Sequence, residues 1–140
     1  MEYNEKCLLV FAAQKREIKT TGKVIRFEKG YHDIGKLVFK EDDLTVLIEE
    51  GAYLDGKLEF NGCNRLKVCG GGILANLNYH QLKYRVIFDL LGCTDVVVED
   101  LTITDSEFWN MRILGCENVT VHNVKVIGYN VPIAVDTNKF

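Results

Sequence analysis

Apolar and polar residues alternate along most of this chain in short runs: Val24-Ile25-Arg26-Phe27, Gly35-Lys36-Leu37-Val38-Phe39, Leu44-Thr45-Val46-Leu47-Ile48 and Tyr53 to Phe60. Gly, Asp and Asn punctuate the runs at Glu28-Lys29-Gly30, Lys40 to Asp43 and Glu49 to Ala52. Short alternating runs with such breaks every 8 to 12 positions predict an all-β fold. No window carries a helical period. The stretch from Leu74 to Lys83 reads as a loop or a single helical turn.

The same phrase then recurs three times, as Gly62-Cys63-Asn64-Arg65-Leu66-Lys67-Val68, Gly92-Cys93-Thr94-Asp95-Val96-Val97-Val98 and Gly115-Cys116-Glu117-Asn118-Val119-Thr120-Val121. A turn and strand repeated at a period in the low twenties is the mark of a β-solenoid. Each phrase is one strand per coil, and Leu101-Thr102-Ile103 with Val124-Lys125-Val126 forms a second stack. The pattern predicts a right-handed parallel β-helix of about five coils over 21–140, incomplete at its C-terminal end. Residues 1–20 read as a cap or as the last strand of a preceding domain. The longer interval between the first two phrases places a bulge of the coil near 75–85, and insertions in solenoids often mark the binding face.

Setting Cys93, Cys116 and Phe140 in register places Asp89, Arg112 and Asp136 at one outward position. Phe88, Met111 and Val135 fall at the neighbouring inward one. The cysteine column reads as a buried structural ladder of reduced thiols rather than redox chemistry.

Bulk properties narrow the function classes. The chain has 140 residues, a net charge of -3 and one proline. That charge provides no basic footprint for nucleic acid, and no apolar run is long enough to span a membrane. The polar start Met1 to Lys6 is no signal peptide, so the chain as written reads as cytoplasmic, or extracytoplasmic if cut from a longer precursor. Five cysteines without a CxxC, and His32, His80 and His122 far apart in sequence, predict no metal site and no cofactor.

Several segments resemble the polygalacturonase-type glycoside hydrolases (family 28) and the related dextranase-type enzymes of the pectin-lyase-like superfamily. Phe27 to Gly35 is similar to "pG-x-H-x-x-G", and Leu44 to Gly56 to "TVYIAPGAYVKG". Gly70-Gly71-Gly72-Ile73-Leu74 is similar to "GRGILDG". The most specific piece is Leu101 to Asn110, similar to "GLTLRDSPFWT", running into Cys116 to Val121. Cys7 to Ala12 resembles the closing strand of the β-sandwich in dextranase-type members. The resemblance covers roughly residues 22 to 130. It implies action on a polysaccharide or oligosaccharide of pectin type or a glucan, by inverting hydrolysis between Asp carboxylates.

The family's Asn-Thr-Asp-Gly-x-Asp motif falls on Val131-Pro132-Ile133-Ala134-Val135-Asp136. Only Asp136 matches, Ile133 stands in place of the catalytic Asp, and the later Asp pair and Gly-His motif have no counterpart. The expectation is therefore a glycoside hydrolase-like chain that is inactive alone. The alternative is a non-catalytic β-helical module for binding carbohydrate or for structure. Asp136 is the single catalytic candidate that the resemblance leaves. Trp109 (a stacking surface), Arg112, Asp89 and His80 on the bulged loop are the substrate-binding candidates, with an Arg112 ion pair to Asp89 or Asp136 as the structural reading. An open C-terminal coil also predicts self-association.

Overall fold

A computed structural model describes residues 10–12, 14, 17–20, 22–78, 84–128 and 133–136, the last four by backbone alone. Among them there is no helix; thirteen strands, β1 to β13, form parallel sheets. The first sheet has five strands in the order β1 (Lys23–Phe27), β3 (Leu44–Ile48), β5 (Asn64–Cys69), β8 (Thr94–Glu99) and β11 (Glu117–His122). The second joins β2 (Gly30–Phe39), β4 (Ala52–Asn61), β6 (Ile73–Ala75), β7 (Val86–Leu91), β9 (Thr102–Thr104), β10 (Trp109–Leu114), β12 (Lys125–Ile127) and β13 (Ile133–Asp136). Every strand pairs in parallel with its equivalent in a neighbouring coil, so the chain is a parallel β-solenoid. Five strands in the first sheet bound about four full turns, against the five coils expected.

One bend makes two walls of the second sheet. Residues 53–55 of β4 pair with β6, whereas 58–61 pair with β7. Gly56 lies between them at φ 144°, and a Cβ there would meet the Gly35 carbonyl oxygen at 2.2 Å. Only glycine permits that corner. The solenoid thus has three walls: the first sheet, the wall before Gly56, and the wall after it.

Alternation builds the core. Leu58, Phe88 and Met111 stack coil on coil, as do Phe60, Leu90 and Ile113, with Leu44, Leu66 and Val96 opposite. All of them are buried. Phe60 lies between Phe39 and Phe88 at ring-centroid distances of 5.2 and 5.6 Å. Core columns in contact at the coil repeat supply most of the hydrophobic stabilisation.

The Gly-Cys phrase is the corner between the third wall and the first sheet. Gly62, Gly92 and Gly115 all have φ near 60°, and the residue three further on is also left-handed: Arg65, Asp95 and Asn118. The tight turn explains the recurring Gly-Cys-x-polar pattern. Side chains tie these corners along the axis, Arg65 forking onto Asp43 and the Asn118 amide donating to Asp95 at 2.6 Å.

Each thiol of the Gly-Cys column points to a carbonyl of the preceding coil: Cys63 to Phe39, Cys93 to Phe60 and Cys116 to Leu90, at 3.4, 3.4 and 3.5 Å. Burial pushes the Cys63 thiol up to about 12. The thiolate is the reactive form, so Cys63 in the native protein is expected to resist a neutral-pH alkylating reagent and to react only after denaturation. Mass-mapped alkylation with and without urea measures this directly.

Val10, Phe11 and Ala12 are exposed and lie in no strand, and Cys7 to Leu9, the start of the expected closing strand, lie outside the described residues. The Lys19 carbonyl accepts a bond from Lys67 Nζ at 3.5 Å, which sets this part of the N-terminal segment against the first sheet. The connection from β6 to β7 runs through 76–85, longer than the 105–108 between β9 and β10, and residues 79–83, where the bulge is expected, lie outside the described residues.

Candidate functional site

On the third wall, Val38, Glu59, Asp89, Arg112 and Ala134 occupy one column of the strand register. Core residues lie on either side of each in sequence, so alternation turns Glu59, Asp89 and Arg112 to the outer surface. Asp89 and Arg112 meet as the repeat predicts. Arg112 forks onto Asp89, with Nε to Oδ1 at 2.8 Å and Nη2 to Oδ2 at 2.7 Å. The ion-pair reading is therefore correct.

Asp136 does not join them. It pairs with Leu114, while Ala134 takes the position beside Arg112 and Val135 pairs with Ile113 rather than Met111. The final coil lacks the Gly-Cys corner that times the others, and aligning it on Phe140 misplaced its register by two residues. Phe140 itself lies outside the described residues. Ile133 pairs with Met111, in the column that continues from the buried Phe88. His80 also lies outside the described residues.

The column is the spine of a larger charge network. Lys57 Nζ reaches Asp89 Oδ2 at 3.0 Å and Glu59 Oε2 at 3.1 Å. Lys36 reaches Glu59 Oε2 at 3.0 Å, and the Asn61 amide donates to Glu59 Oε1 at 3.1 Å. Three cations thus face two carboxylates. Lys36, Lys57 and Glu59 were missed from sequence, although for Glu59 the signal was present. Glu59 precedes Cys63 by the interval that separates Asp89 from Cys93 and Arg112 from Cys116.

Asp89, although on the outer surface, is fully buried beneath Lys57 and Arg112. Its oxygens are occupied by cations, so neither a water nor a glycosidic oxygen has access to them. Burial pushes the Glu59 carboxyl upward, but bonds from Lys36, Asn61 and Lys57 outweigh it and hold the pKa at about 2. A general acid must carry a proton at working pH, and Glu59 does not. These carboxylates organise the face; they do not supply an acid and base pair.

The Glu59 shift has a signed consequence for stability. A carboxyl whose folded pKa is lowered from 4.5 to about 2 stabilises the fold above the unfolded value, and that contribution is lost as pH falls through the folded one. Denaturant unfolding across pH 5 to 2 is expected to show a steeper loss in the native protein than in Glu59→Gln. Parallel curves would contradict this assignment.

Trp109 begins β10 at the edge of the same wall and pairs with Val86. Its ring stacks on Phe108 with centroids 5.1 Å apart and an interplanar angle of 28°. Phe108 is exposed and Trp109 half-buried. Ser106 fixes this turn, its hydroxyl accepting from the Phe108 N–H at 3.3 Å and donating to the Trp109 carbonyl at 2.9 Å. The edge of the wall therefore presents a held aromatic pair, with Phe108 exposed. Aromatic faces with adjacent polar donors suit sugar rings.

Among the described residues, no group of three or more His, Cys, Asp or Glu is placed to hold a metal ion. No helix there is long and apolar enough to cross a membrane.

No protein-family model matches the sequence, and no curated protein matches it. The fold does have a solved counterpart, a crystal structure described as a "putative glycosyl hydrolase" from Parabacteroides merdae ATCC 43184. It superimposes with a TM-score of 0.72 at 21% identity, over 83% of this chain and 66% of that one. The likeness establishes the solenoid fold, and the chain covers just under two thirds of that structure's length.

Proposed function

We propose that this chain belongs to a glycoside hydrolase-like protein of polysaccharide breakdown, and that its described coils bind saccharide without cleaving it. The observation that carries the reading is the held aromatic pair, Phe108 and Trp109, at the edge of the third wall, whose carboxylates Glu59 and Asp89 are committed to cations. The solenoid likeness to a described glycosyl hydrolase supports it. So does the resemblance to the polygalacturonase and dextranase types, whose catalytic motif is reduced here to Asp136. In a complete enzyme of this kind the catalytic carboxylates would come from further coils, and the substrate would be a pectin-type polymer or a glucan.

A second reading, a non-catalytic carbohydrate-binding or structural module, is favoured by the commitment of Glu59 and Asp89 to ion pairs. Extending the reading frame past Phe140 separates the two. An Asp pair and a Gly-His motif within about two further coils support the enzyme, and their absence leaves the module. For the chain itself, Trp109→Ala is expected to weaken oligosaccharide binding about ten-fold, the scale of one lost stacking contact. Titration calorimetry against gluco- and galacturono-oligosaccharides tests this, and unchanged affinity for all of them would refute the stacking role.

A further inference from the structure

A second aromatic surface lies around the corner from the charged wall, on the one that precedes Gly56. Tyr31 and Tyr53 are register partners whose rings stack at 6.1 Å with an interplanar angle of 20°. Tyr31 is 56% exposed. Its strand β2 pairs with β4 alone among the described residues, so no neighbouring strand supplies a side chain against the far face of its ring.

The ring is also held in place. The Tyr31 hydroxyl donates to Asp55 Oδ2 at 2.7 Å and accepts from the Asn78 amide at 2.6 Å. Asp55 is fully buried and takes further bonds from the Leu77 N–H at 2.8 Å, the Asn78 N–H at 3.3 Å and the Asn78 amide at 2.7 Å. A ring fixed before the ligand arrives loses little freedom on binding. Carboxylates act on both rings: the Asp55 bond, with Asp33 behind it, raises the Tyr31 pKa, while Asp105 and Asp55 add to burial in raising that of Tyr53.

We infer that the Tyr31 ring, backed by Tyr53 and fixed by Asp55 and Asn78, is a second saccharide platform that takes sugar chains without carboxylate groups, glucan-type rather than pectin-type. The exposed carboxylates Asp33 and Asp105 repel a polyuronate and accept hydrogen bonds from sugar hydroxyls, while the open ring face stacks on the apolar face of a pyranose. This inference rests on the saccharide-binding reading above, and it narrows the substrate class that reading left open.

Calorimetric titration of the native protein, Tyr31→Ala, Tyr31→Phe and Trp109→Ala tests it, with a neutral gluco-oligosaccharide and an oligogalacturonate of equal length as probes. Circular dichroism confirms that each variant is folded. The neutral probe is expected to bind more tightly than the uronate, to weaken at least ten-fold in Tyr31→Ala and to be largely retained in Tyr31→Phe, which keeps the ring. Unchanged neutral binding in Tyr31→Ala, with loss in Trp109→Ala, would overturn the second platform and leave the first reading standing. Tighter binding of the uronate through Tyr31 would overturn the charge argument. Binding of neither probe to the native protein would sink both readings.

Discussion

Asp89→Ala is expected to destabilise the protein by about 3–5 kcal/mol, the cost of breaking a buried ion pair from one side. Asp89 is fully buried and holds the Arg112 fork and the Lys57 ammonium. Its removal leaves Lys57 with Glu59 alone and Arg112 without either bond to Asp89. Arg112→Ala is the milder change, about 1–3 kcal/mol, because Lys57 still covers the carboxylate. Chemical denaturation of the two variants ranks them. If Asp89→Ala proved no worse than Arg112→Ala, the network would not be the spine described.

The second large effect is at the corner. Gly56→Ala is expected to cost about 3 kcal/mol or more, combining a left-handed backbone with a clash against backbone rather than against a movable side chain. The added Cβ would sit 2.2 Å from the Gly35 carbonyl oxygen, and β4 could relieve it only by giving up its bend between the two walls. Gly92→Ala is the control. It shares a positive φ but meets nothing within 4 Å, so only the conformational penalty of about 1–2 kcal/mol applies. Equal losses at the two glycines, read from the same melts, would show that φ alone decides and that the corner contact is unimportant.

These two positions illustrate what was legible. The Gly-Cys phrase revealed the solenoid because a corner that needs φ near 60° restricts its residues in every coil, and the inward columns repeat with it. The same clock aligned Asp89 with Arg112 correctly. Carried back one coil it would also have delivered Glu59, since the interval to the cysteine is constant. Carried forward it failed at Asp136, where no corner motif marks the coil and only the backbone pairing fixes the register. The Asp55 cluster was invisible for another reason: its partners Tyr31, Leu77 and Asn78 come from different coils and from a loop, and loop geometry has no period. Lys57 was likewise beyond a reading of single columns, because it bridges Glu59 and Asp89 from a neighbouring position.

The division of labour between the walls follows from this chemistry. Carboxylates on the third wall are neutralised by lysine and arginine, which stiffens that face and removes it from acid–base chemistry. Around the corner Asp55 is satisfied by neutral donors instead, the Tyr31 hydroxyl and the Leu77 and Asn78 amides, and it is on this face that discrimination against anionic sugars is proposed.

The most direct test of the central claim is to follow binding and reducing-sugar release on one protein sample, with dextran, polygalacturonate and their oligosaccharides as substrates. Saccharide binding that depends on Trp109, with no new reducing ends from any of them, is the predicted result. Release of reducing ends at an enzymatic rate, abolished by Asp89→Asn or Glu59→Gln, would contradict the account, because it would make catalysts of carboxylates that the structure commits to ion pairs.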